Sequence, residues 1–107
     1  MNISKEFKNL VDKRKAYEGD IDYDSNPIIA EMIQLFTRDI NKTIEFLDNE
    51  CSEEQLIWFS EIFDEVSEST KSKEFIEALY RAAGRYPDAV KRYNIGFFID
   101  SAAEYIE

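Results

Sequence analysis

Residues 52–68 read SEEQLIWFSEIFDEVSE, and winding them at about 100° per residue decides the fold class. Leu56, Phe59, Ile62, Phe63 and Val66 fall on one arc, with Glu53, Glu54, Glu61, Asp64, Glu65 and Glu68 on the other. One side suits a core and the other suits water, which is the signature of an amphipathic helix. Ser52 with Gln55 three residues later makes a capping box, so the helix is expected to run from Glu53 to about Ser67. Ile57 breaks the segregation by falling inside the acidic arc, and Trp58 stands at its border with the core arc.

The same period continues on both sides. Towards the C-terminus, Ser72 opens a helix carrying Phe75, Ile76, Leu79, Ala82 and Ala83, which ends across Gly84, Arg85, Tyr86 and Pro87. Shorter helical pieces are expected over 88–93 and 95–106. Towards the N-terminus, a helix over 4–16 would turn Phe7, Leu10 and Val11 inward. After a loop over 17–25 that contains Gly19 and three aspartates, Ser25 or Asn26 caps a helix with Pro27 in its first turn. Ile28, Ile29, Met32, Ile33 and Phe36 form its apolar face, and the pattern restarts near Arg38 and Asp39 with Ile40, Ile44 and Leu47. With only three Gly and two Pro, and no sustained alternation, nothing reads as a strand. The expected fold is all-α: a compact single domain over residues 1–107, either a bundle or a small stack of antiparallel helical hairpins, with about five to seven helices.

Eight Phe, six Tyr and one Trp supply enough apolar area for a core without disulfides, and the lone Cys51 points to a reducing compartment. The basic N-terminal residues are not followed by an apolar export segment, and no stretch reaches the ~20 apolar residues of a membrane helix, so a cytoplasmic, membrane-free protein is expected. The net charge is −10, and it is unevenly spread. From Glu45 to Glu68 there are nine acids and no base, and from Tyr17 to Thr37 five acids and no base. Phosphate binding rests on Lys and Arg, so direct contact with nucleic acid is not expected. An acidic field attracts cationic surfaces, although a solvated helix face needs no partner to explain its charge.

Catalytic chemistry finds little support. There is no His, the commonest general base and metal ligand. Cys51 precedes a helix N-terminus, but Glu50, Glu53 and Glu54 oppose a thiolate there and no partner base is evident. Paired carboxylates such as Glu61 with Asp64 or Glu65 share one solvated environment, whereas acid/base catalysis needs two different ones. Asp20, Asp22, Asp24 and Glu31 have part of the spacing of an EF-hand loop, but Ser25 stands where a Gly makes the turn and Pro27 interrupts the following segment. No catalytic residue, cofactor or metal site is therefore expected, calcium sensing through Asp20 to Glu31 stays open as a third and minor reading, and the protein is read as a non-enzyme.

The segment from Ser52 to Glu68, with SKEFIEAL over 72–79 and RYP over 85–87, resembles small immunity proteins of bacterial polymorphic toxin systems, notably those of contact-dependent growth inhibition. The resemblance covers residues 27–90. It implies a cytoplasmic toxin inhibitor that binds the C-terminal domain of one cognate toxin, often a nuclease, and blocks its active site. It carries no functional residues over, so the candidate partner-binding residues come from the charge argument. They are Asp20, Asp22, Tyr23 and Asp24 in the loop, and Glu54, Ile57, Trp58, Glu61, Asp64, Glu65 and Glu68 on the helix, with Ile57 and Trp58 as a desolvated centre. Whether loop or helix dominates is open in one dimension, as is active-site block against binding beside it. The alternative is a helical adaptor that binds a basic cellular protein without inhibiting it.

Overall fold

The computed structural model describes residues 2–16 and 27–106. In chain order these form α1 (Ile3–Ala16), α2 (Pro27–Thr37), α3 (Ile40–Asn49), α4 (Glu53–Phe59), a 3-10 turn (Ser60–Ile62), α5 (Phe63–Thr70), α6 (Lys73–Arg85), α7 (Pro87–Tyr93) and α8 (Ile95–Ala103). Counting α4, the turn and α5 as one interrupted rod, the described residues make seven helices and no strand. The all-α expectation holds. The loop over 17–25 and the Ser25 or Asn26 cap lie outside the described residues.

Local chemistry sets the boundaries. The Asp39 carboxylate caps α3, accepting from the amides of Asn41 at 3.2 Å and Lys42 at 3.4 Å, which turns the expected restart at that residue into a new helix. Ser52 and Gln55 form the reciprocal capping box at α4, and Ser72 caps α6 by accepting from the Phe75 amide at 3.1 Å. Pro87 occupies the first turn of α7, where its missing amide hydrogen costs no bond. Asn94 closes α7 at φ 58°, a left-handed conformation that its short polar side chain tolerates.

The core is built on phenylalanine. Phe59 stacks on Phe36 at 3.9 Å between ring centroids and meets Phe7, Phe46, Phe63 and Phe75 at 5.2–6.5 Å. All six rings are fully buried, drawing α1 to α6 onto one centre. Leu35, Thr43 and Phe46 are buried as well, so α2 and α3 present broader inner faces than the sequence pattern suggested, while Leu10, Ile33, Ile40, Ile44 and Ala83 lie half-buried at the margin. Thr43 can be buried because its hydroxyl donates to the Phe36 carbonyl at 2.8 Å. The radius of gyration, 12.9 Å, is what a compact chain of this length adopts, about 13 Å.

Two interlocks position the acidic run. At its start, Tyr86 donates its hydroxyl to the Cys51 carbonyl at 2.7 Å, and Arg85 donates to the Leu47 carbonyl. Arg81 grips Asp48 with two bonds of 2.9 and 3.1 Å, and its guanidinium holds the Asp48 carboxyl below the usual carboxylate value. Arg85, Tyr86 and Pro87 thus tie the α3–α4 turn to α6 and start α7. At the other end, the buried Ser67 hydroxyl donates to the Ala102 carbonyl at 2.7 Å and ties α5 to α8.

Candidate partner-binding site

The amphipathic rod expected over 53–67 is interrupted. Ser60 turns its hydroxyl back onto the Ile57 carbonyl at 2.6 Å, and Ile62 leaves helical geometry at φ −121°, ψ 15°. A 3-10 turn advances about 120° per residue instead of about 100°, so three residues rotate the following helix by about 60°. Leu56, Phe59, Ile62, Phe63 and Val66 all remain buried, but the acidic arc divides into two groups with different neighbours.

The α4 group meets cations of its own chain. Glu54 is ion-paired with Lys15 at the end of α1, and that hydrogen bond holds the Glu54 carboxyl below its usual value. The Trp58 ring has the Arg14 guanidinium and the Lys15 ammonium each 6.0 Å from its centroid. Lys15, Glu54 and Trp58 line a cavity of about 430 Å³ between α1 and α4, bounded also by Lys8, Val11, Asp12, Ser52 and Gln55. Ile57 turns the other way, half-buried in a cleft with Glu53, Asp88, Ala89, Arg92 and Tyr93. Trp58 and Ile57 therefore do not form one apolar centre ringed by acid. They are the seams by which α4 joins α1 and α7.

The α5 group lies beside the C-terminal end of α8, where its acids act together on Tyr105. Asp64, then partial loss of water, then Glu68, Glu65 and Glu104 hold the Tyr105 hydroxyl above its ordinary value of 10.0. Asp64 accepts from Ser101 of α8 at 3.2 Å through one oxygen, and its other oxygen has no hydrogen-bond partner among the described residues. Asp64 and Glu65 are half-buried and Glu68 is exposed, so this stripe is partly walled by α8. Lys71 is the cation nearby, its ammonium 5.5 Å from the Tyr105 ring. Glu61 stands between the two groups, where crowding raises its carboxyl against the opposing pull of Arg14.

Asp20, Asp22, Tyr23 and Asp24 lie outside the described residues, and Glu31 is exposed on α2. Among the described residues no group of His, Cys, Asp or Glu is arranged to hold a metal ion. Cys51 is buried, which pushes its thiol up to about 12 despite the nearby Arg85. No described helix is long and apolar enough to cross a membrane.

What the sequence reading missed is aromatic. Phe97 is 61 % exposed, Tyr80 47 %, Tyr93 45 % and Phe98 38 %. The signal was present: Ile95, Ile99 and Ala102 already fill the inner face of α8, and two adjacent Phe about 100° apart cannot both join it. Comparison with protein-family models, curated proteins and solved structures gave no match.

Proposed function

We propose that this protein is an immunity protein: a cytoplasmic, non-catalytic inhibitor that binds the basic active-site surface of a cognate toxin domain, most simply a nuclease. The observation that carries the reading is the convergence of Asp64, Glu65, Glu68 and Glu104 around Tyr105 on a chain of net charge −10. A nuclease must hold phosphates with Lys and Arg, and carboxylates set where phosphates would bind can occupy the same groups. The resemblance of residues 27–90 to polymorphic-toxin immunity proteins supports the same mechanism from an independent direction.

The α5 group is the better candidate for contact than the α4 group. Glu54 would have to give up Lys15 before pairing with a partner, whereas Glu68 and Glu104 near Tyr105 make no ion pair among the described residues. The test is affinity capture of the tagged protein from its own strain, at low salt and at about 0.5 M salt, with activity assays on the captured domain. Recovery of one toxin C-terminal domain, inhibited by this protein and held less tightly at high salt, is the expected result. Capture of a housekeeping protein whose activity is unchanged would replace the inhibitor with an adaptor.

A further inference from the structure

The outward face of α8 carries an apolar centre that neither the charge argument nor the resemblance supplies. With Ile95, Ile99 and Ala102 turned to the core, helical spacing sets Phe97 on the opposite side, with Asp100 three, Ser101 four and Glu104 seven residues further along the same face. Two hydrogen bonds fix the flanks. Tyr80 of α6 donates to Asp100 at 2.5 Å, and Ser101 donates to Asp64 of α5 at 3.2 Å. Phe98 meets the Phe97 ring edge-on at 5.8 Å. Phe97 therefore projects from the first turn of α8, with Asp100 one turn and Glu104 two turns further along the same face.

We propose that this α8 face is a docking surface for an arginine-bearing protein segment, with one guanidinium stacked on Phe97 and paired with Asp100, one turn along, and Glu104 adding to the acidic face. The inference rests on the inhibitor reading above and names the contact chemistry of its partner. Charge selects the occupant. A second copy would bring another net charge of −10 to an acidic face, and residues 17–26 of the chain carry four acids and no base, so both are repelled. A lysine ammonium also attracts a ring, as Lys71 does at Tyr105, but a planar guanidinium can stack flat on the exposed ring while its fork pairs with a carboxylate.

The experiment uses the full chain labelled for amide NMR, titrated with a short arginine-rich peptide and with its lysine counterpart of equal charge. Shifts are expected to centre on Phe97, Asp100, Ser101 and Glu104, with the arginine peptide about two- to fivefold tighter, the range of an exposed guanidinium–ring contact. Phe97→Ala should abolish that preference while leaving the thermal melt unchanged, because the ring is exposed. Shifts centred on α4, equal affinity for both peptides, or a preference that survives in Phe97→Ala would overturn the proposal. So would a dimer at working concentration that Phe97→Ala dissociates, since the face would then belong to a second copy. The inhibitor reading fails separately: a toxin affinity unchanged in Phe97→Ala breaks the α8 surface alone, and arginine-selective binding at α8 without any toxin captured breaks the inhibitor alone.

Discussion

Glu54 and Glu68 belong to a single acidic run, yet the fold gives them opposite surroundings. At α4 the carboxylate is answered by Lys15, and the neighbouring indole lies near Arg14 and Lys15. At α5, Asp64 and Glu68 add to Glu104 and raise the Tyr105 hydroxyl. A run of like charge is thus not itself a binding surface. What distinguishes the proposed α8 surface is an exposed ring, Phe97, on the same helix face as Asp100.

The two regions share one support, and removing it should cost most. Phe59 ends α4 at the centre of the phenylalanine cluster, so Phe59→Ala should lower unfolding free energy in urea by about 3–5 kcal/mol and loosen both regions together. A loss under ~1 kcal/mol would mean that the halves are supported separately. Charge reversal separates them. Glu68→Lys with Glu104→Lys should weaken partner binding by about 2 kcal/mol or more in calorimetry, and Glu54→Lys much less, because Glu54 already has a cation. Equal losses would erase the distinction drawn between α4 and α5.

Smaller effects sharpen the α5–α8 side. Ser67→Ala removes the buried bond to Ala102 and should cost about 1 kcal/mol, read as a lower urea midpoint. Tyr105 provides a charge probe in an absorbance titration of tyrosinate. Its folded pKa is raised, so its contribution to stability is complete below the unfolded value and is lost as pH rises through the folded one, on the alkaline side of 10.0. Asp64→Asn should bring that titration down more than Glu104→Gln, since Asp64 exerts the largest effect. The reverse order would mean that Asp64 is directed away from the cluster.

Much of the fold was legible because short-range rules wrote it. The Ser52–Gln55 capping box, the Ser72 cap, Pro27 and Pro87 in first turns, and the buried series from Leu56 to Val66 all depend on residues within a few positions of one another. The break at Ser60 was not legible, because serine within a helix pattern is ordinary and only its bond to the Ile57 carbonyl marks the 3-10 turn. The candidate site was legible in its acids and hidden in its aromatic centre, since an unbroken wheel assigned that role to Ile57 and Trp58.

The helical class, most helix ends, the phenylalanine core and the acidic excess follow from residue order, because propensity, capping and periodicity act between near neighbours and net charge is a sum. Which acid is paired and which aromatic is exposed follows from packing instead. Those outcomes depend on Lys15 reaching Glu54 across 39 positions and on Ser101 reaching Asp64 across 37, contacts created when the helices pack.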